Sequence, residues 1–111
     1  MKTIEELSPK EAEAELRCLL HGIRENSIPI YSQKIRRALK NLDGKNLGQM
    51  FHIAQKIAKT GNLKNNACRK FSFRRPSDGK IVTFDGIKFL ERFRALLKFI
   101  RKKRDSDPSW R

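Results

Sequence analysis

The stretch RKFSFRRPSDGKIVTF, residues 69 to 84, constrains the fold more than any other part of the chain. Phe71, Phe73, Val82 and Phe84 alternate with other residues on either side of Pro76-Ser77-Asp78-Gly79, the period-two pattern of two strands joined by a short turn. With Arg75 and Lys80 flanking that loop, Phe73 faces Val82 and Phe71 faces Phe84. These four share one face, and Ser72, Arg74, Ile81 and Thr83 share the other. A face of three phenylalanines and a valine must cover something, so the hairpin is expected to pack on a helical core with its basic tip projecting.

The rest of the sequence supplies helices. Ser8, Pro9 and Glu11 combine an N-cap serine, proline at the first helical position and a capping-box glutamate. Ala12, Leu16, Leu19, Leu20 and Ile23 follow at helical spacing as one core stripe. Gly22 is expected to weaken the last turn of this helix, and Pro29 to break the chain before the next. A second helix begins after Ser32, with Ile35, Ala38, Leu39 and Leu42 inward and Lys34, Arg36, Arg37 and Lys40 outward, and Asp43-Gly44 stops it. A third, capped by Asn46, turns Leu47, Met50, Phe51, Ala54, Ile57 and Ala58 inward and Gln49, His52, Gln55, Lys56 and Lys59 outward, with Gly61 in the position of a C-cap glycine. After Asp85-Gly86 a fourth runs from Ile87 to about Lys103, with Leu90, Phe93, Leu97 and Ile100 central to its apolar side.

The expected fold is therefore mainly α with one β-hairpin, an α+β domain of four helices. Residues 1–7 form a lead-in, 8–104 one basic domain and 105–111 a frayed tail. The order helix, helix, helix, hairpin, helix is compatible with a winged helix-turn-helix, in which the third helix enters a groove of DNA and the hairpin is the wing. The segment from Ser32 to Gly61 lacks the small-residue and glycine pattern of that motif, and an unrelated helical domain with a hairpin is the favoured expectation.

Charge narrows the function. There are 26 Lys and Arg against 12 Asp and Glu, a formal +14. A surplus of that size repels itself unless a polyanion neutralises it. Residues 1 to 25 carry a net −2, so the remainder carries +16. The clusters are Arg36-Arg37, Arg69-Lys70, Arg74-Arg75 and Arg101 to Arg104. Arginine forks suit phosphate in a bidentate way, whereas a lone outward lysine is as well explained by solvation.

The leading expectation is a non-catalytic nucleic-acid-binding module, with DNA favoured over RNA, gripping duplex backbone with limited base reading. Its contact set is Arg36, Arg37, Lys40, Gln49, His52, Lys56, Lys59, Arg69, Lys70, Arg74, Arg75, Lys80, Arg101, Lys102, Lys103 and Arg104. Glutamine suits adenine edges and lysine suits guanine or phosphate. Most phenylalanines sit at inward positions, which leaves no evident stacking platform for single strands. A regulatory, replication-accessory or mobile-element role would suit such a module. The rival expectation is an adaptor or inhibitor that docks its basic face on an acidic protein, because steering to an acidic partner uses the same physics. Self-association through the acidic first helix is a further alternative, as a homodimer.

Other classes find little support. His21 and His52 lack a nucleophile or carboxylate at a telling spacing, and Gly44 and Gly48 are isolated, so neither an enzyme nor a phosphate loop is indicated. Cys18 and Cys68 form no CxxC pair. Cys18 reads as a small core residue, and no metal or cofactor is expected. No apolar run approaches the roughly 18 residues of a membrane span and MKTIEELS has no signal-peptide core, so a soluble cytoplasmic protein is expected. A membrane-surface helix at 87 to 104, with Lys88, Arg92, Arg94 and Lys98 beside the phenylalanine-rich side, would use apolar surface that the hairpin needs.

Overall fold

The computed structural model describes residues 3–26, 28–30, 32–60, 62–75 and 78–110, the side chain of residue 62 excepted. Helix α1, Pro9–Glu25, starts where the capping box places it: the Ser8 N–H donates to Glu11 Oε1 at 3.0 Å and the Glu11 N–H donates to Ser8 Oγ at 3.2 Å. Its stripe of Ala12, Leu16, Leu19, Leu20 and Ile23 is fully buried. The helix does not weaken at Gly22. It continues to Glu25, and the Asn26 amide closes it by donating to the Gly22 carbonyl at 2.9 Å. Gly22 is there for packing: a Cβ on it would lie 2.5 Å from Cε1 of the Phe73 ring.

Helix α2, Gln33–Lys40, is capped by Ser32, whose Oγ accepts the Ile35 N–H at 3.3 Å, and it buries Ile35 and Leu39. A 3-10 turn at Leu42–Gly44 then buries Leu42. Helix α3, Leu47–Thr60, buries Leu47, Met50, Ile53, Ala54 and Ile57, with Phe51 and Ala58 half-buried at the edge of that face. The proposed C-cap, Gly61, lies outside the described residues, as do Pro76 and Ser77 of the hairpin loop. A short helix α4, Asn62–Asn65, buries Leu63 and has no periodic signature because it is barely one turn long.

The hairpin consists of β1, Lys70–Arg74, and β2, Ile81–Asp85, paired antiparallel with Phe73 opposite Val82 and Phe71 opposite Phe84 as the alternation requires. The Arg75 N–H donates to the Lys80 carbonyl at 2.8 Å, and Gly79 takes the left-handed φ of 71° that the turn needs. Phe71 and Phe73 are buried. Aromatic contacts fasten the hairpin to helix α5, Gly86–Ser106: Phe71 meets Phe89 edge-on with centroids 4.7 Å apart, and Phe84 meets the same ring at 5.7 Å. Each such pair adds about 0.5–1.5 kcal/mol beyond the area it buries. Asp85 caps α5 by accepting the Ile87 N–H at 2.9 Å.

The chain end corrects the expectation of a frayed tail. Helix α5 runs to Ser106, and a 3-10 turn at Pro108–Trp110 brings Trp110 back against it. Trp110 is 4% exposed, lies edge-on to Phe99 at 5.4 Å and has its carbonyl held by Arg104 Nη1 at 3.2 Å. Burial of Trp110 and its contact with Phe99 offset the cost of ordering the few polar residues before it.

Helix α1 is the hub, packing against α2, α3, α5 and β1. Helix α3 lies between α2 and α5, and the hairpin rests on α1 and α5. The radius of gyration, 13.2 Å, is what one domain of this length has, so the core is shared by all these elements.

Candidate nucleic-acid interface

Helix α3 is flanked by two other basic helices, and the start of its exposed side borders α1: Gln49 and His52 line a groove with Pro9, Lys10 and Glu13. On α3, Gln49, His52, Lys56 and Lys59 are exposed. On α5, Arg94, Lys98 and Arg101 recur at i, i+4 and i+7 and are exposed along one stripe. Between the two helices runs a shallow groove of about 260 Å³, walled by Gln55, Ala58 and Lys59 on one side and Arg94, Leu97, Lys98 and Arg101 on the other. Every charged residue in it is a cation. Its floor, Ala58 and Leu97, is apolar, and Gln55 spans it: with its amide oxygen turned to α5 it accepts from Arg101 Nε at 3.3 Å.

On the other side of α3, helix α2 presents Gln33, Arg36, Arg37 and Lys40 around a small concavity, again with no acidic residue in its lining. Lys102 is exposed on α5 beside the groove residues. The α3–α5 groove and the concavity on α2 are thus each lined by cations without acids, Arg36 and Lys40 also bordering a groove with Ile23 and Arg24 of α1, while Glu13 pairs with Arg17 at 3.0 Å and Glu15 with Arg92 at 2.9 Å.

Several expected contact residues are committed to the fold. Gln49 completes a capping box with Asn46, its Oε1 accepting the Asn46 N–H and its own N–H donating to Asn46 Oδ1, both at 2.9 Å. Reading an adenine edge would cost α3 that cap. Arg104 sits over the Phe51 ring at 5.6 Å and against Gly48 while holding the tail, and Lys103 lies 5.7 Å over Phe99. Arg69 donates to the Asn26 carbonyl at 2.9 Å and covers Phe71, which fastens β1 to the end of α1. Lys70 is exposed opposite Asp85.

The hairpin tip is also self-satisfied. Arg74 Nη1 donates to the Gly79 carbonyl at 2.7 Å. Arg75 forms a bidentate pair with Asp78, Nε to Oδ1 at 2.9 Å and Nη2 to Oδ2. That pairing, with the Lys80 N–H on Asp78 Oδ1, holds the Asp78 carboxyl down to about 2. Lys80 itself is exposed. Arg75 lines a groove with Leu7, Glu11, Glu15 and Cys18 of the N-terminal region and Lys88 of α5, and no residue of α3 borders it. The placement of Arg75 thus does not confirm the winged arrangement, in which the hairpin lies beside α3. Phe73 seats beside Gly22 of α1 and Phe71 on Phe89 of α5, and these contacts aim the tip along α1.

Arg94 and Lys98 are the residues missing from the expected contact set, although their spacing with Arg101 is visible in the sequence. His21 and Cys18 belong to the packing around the hairpin. The His21 Nδ1 accepts from Arg24 at 2.5 Å, and burial, then the Arg24 charge, lowers its pKa. Burial pushes the Cys18 thiol up to about 11.

Among the described residues no three His, Cys, Asp or Glu side chains converge on a metal position, and no helix is long and apolar enough to cross a membrane. No protein-family model, curated protein or solved structure matches the chain.

Proposed function

We propose that this chain is a non-catalytic nucleic-acid-binding module that grips the phosphate backbone of a duplex, DNA in preference to RNA, with the face built from α2, α3 and α5. The observation that carries the reading is the groove between α3 and α5, whose charged residues, Lys59, Arg94, Lys98 and Arg101, are all cations over an apolar floor. Arg36, Arg37 and Lys40 on α2 add a second cationic concavity without acids in its lining. No described phenylalanine or tryptophan side chain is exposed, which argues against a stacking platform for unpaired bases. Base reading is limited to His52, Lys56 and Lys59, because Gln49 holds a cap. Such a module works in the cytoplasm, on the nucleoid of a bacterium or in the nucleus of a eukaryote.

Fluorescence anisotropy with labelled duplex DNA, single-stranded DNA and structured RNA, each titrated with salt, tests it. Four groove cations each meeting a phosphate give a log–log salt slope near −3.6, at about −0.9 per contact on duplex DNA. Arg94→Ala with Lys98→Ala lowers that slope by about 1.8, whereas Arg74→Ala with Arg75→Ala leaves it within about one contact of the parent. Absence of salt-dependent binding to all three probes rejects the proposal, and a preference for structured RNA rejects its choice of DNA.

A further inference from the structure

The two outer edges of the hairpin are treated differently. Because Arg75 and Lys80 form a bonded pair and the register beyond them is regular, strand alternation turns the N–H and C=O groups of Ser72 outward on β1 and those of Ile81, Thr83 and Asp85 outward on β2. The edge of β1 is closed by the end of α1, where Asn26 Oδ1 accepts the Ser72 N–H at 3.2 Å. No counterpart of Asn26 lies along β2 among the described residues. Natural edges are blunted with lysine, proline or a bulge, and Ile81-Val82-Thr83-Phe84 has none of these. The strand is also unfinished on both of its faces. Val82 and Phe84 are only half-covered over a groove of about 580 Å³ whose other apolar walls include Leu7, Ala14 and Cys18, and Ile81 on the outward face is 67% exposed.

Charge and register together indicate which chain completes this edge. The groove's lining holds Glu11 and Glu15 beside Arg75, Lys88 and Arg92, with Glu15 paired to Arg92 and Arg75 to Asp78. Acids and bases are nearly balanced there, so neither a strongly acidic nor a strongly basic chain is drawn to it. The grooves at α2 and between α3 and α5 carry cations alone, and two copies of a chain of formal +14 would repel across them; at β2 the local repulsion is small. The segment Ile81-Val82-Thr83-Phe84-Asp85 is also its own antiparallel complement about Thr83. Thr83 set against Thr83 of a second copy makes bonded pairs of Thr83 with Thr83 and of Ile81 with Asp85, which uses every outward backbone group of the strand. The same register sets Val82 of each copy opposite Phe84 of the other on the groove side, a favourable β-branched and aromatic pair, and brings no like charges opposite each other along the strand. On the outward side, the Ser72 and Thr83 hydroxyls, 2.9 Å apart, are continued by those of the second copy.

We infer that the chain forms a twofold dimer in which two β2 edges pair antiparallel about Thr83, joining two hairpins into one four-stranded sheet whose inward side chains cover the grooves beneath. Such an interface is isologous, so one open edge on each copy closes both. The inference does not rest on nucleic-acid binding and is tested in its absence.

Sedimentation equilibrium of the full chain, freed of nucleic acid, measures the monomer–dimer constant. The expected result is a reversible dimer that tightens as salt is raised, because screening removes the repulsion between two chains of +14 while the interface itself is backbone and apolar. Thr83→Pro removes the outward donor without touching the β1–β2 ladder and weakens the dimer by about tenfold or more. Cysteine cross-linking reads the register without relying on that variant. In a Cys68→Ser background, Thr83→Cys should oxidise to a disulfide-linked dimer, since the Cα atoms of a bonded antiparallel pair lie about 5.5 Å apart, within disulfide reach. Ile81→Cys, which faces Asp85 of the second copy, should not. A chain that stays monomeric at millimolar concentration overturns the inference and leaves the edge to a different protein. A dimer that weakens as salt rises, one indifferent to Thr83→Pro, or equal cross-linking of Ile81→Cys and Thr83→Cys overturns it too.

Discussion

Gly22→Ala should destabilise the protein, although alanine is the better helix former by about 1 kcal/mol in a helix interior. The new methyl would lie 2.5 Å from Phe73 Cε1 and 2.9 Å from Cδ1 and Cζ, against a normal carbon contact of about 3.5–4.0 Å. The ring has little room to retreat, because it stacks on Phe84 at 6.1 Å and abuts His21 at 6.2 Å. Overpacking of this kind costs about 1–3 kcal/mol, so the net change is a loss of roughly 0–2 kcal/mol. Phe73→Ala alone costs about 3–4 kcal/mol, as expected for a ring that is 5% exposed. In that background the obstruction is gone, and Gly22→Ala should now stabilise by up to about 1 kcal/mol. The sign reversal corresponds to a coupling of about 1–3 kcal/mol. Urea unfolding of the four variants, followed by far-UV circular dichroism and by the fluorescence of Trp110, measures it. Equal stabilisation by Gly22→Ala in both backgrounds would refute the reasoning, since it would mean that Phe73 does not occupy the space over Gly22.

Gly86→Ala should lower the urea midpoint by the equivalent of about 2 kcal/mol or more, because its Cβ would fall against the backbone carbonyl oxygens of Ala67 and Arg69, which no rotamer change can move aside. In the native protein near neutral pH, iodoacetamide should modify exposed Cys68 and leave Cys18 intact, its thiol being half-buried and raised to about 11; mass spectrometry of peptides reads both sites. Asp78 titrates at about 2 in the folded chain against an ordinary value of 3.8, so its ion pair contributes stability above about pH 4 that is lost as pH falls toward 2. The urea midpoints of the parent and of Asp78→Asn should accordingly differ near neutral pH and converge near pH 2.

How far the sequence carried the fold depended on whether a residue's role was set locally. The Ser8–Glu11 box, the Ser32 cap and the hairpin register are short-range patterns, and each recurs in the structure at the residues that encode it. Gly22 was misread because a glycine in a helix looks like a defect until the ring of Phe73, far along the chain, is seen against it. Trp110 was misread for the opposite reason: polar neighbours in the sequence hid one residue able to anchor the tail on Phe99. The candidate site divides along the same line. Arg104 follows Leu97 and Ile100 at i+7 and i+4, on the buried stripe of α5, so its structural role over Phe51 was legible from helical phase. Arg94, Lys98 and Arg101 flank that stripe about a quarter-turn round the helix, and their common face was legible in the same way. The direction of the hairpin tip was not, because strand alternation sets which side chains turn inward but not where the hairpin is carried. That is decided by the pocket Gly22 leaves on α1 and by Phe89 on α5, which together take Arg75 to the acidic side of the molecule. A basic cluster in sequence is therefore a binding surface only where tertiary packing leaves it without acids of its own, and the groove between α3 and α5 meets that condition where the arginine-rich hairpin does not.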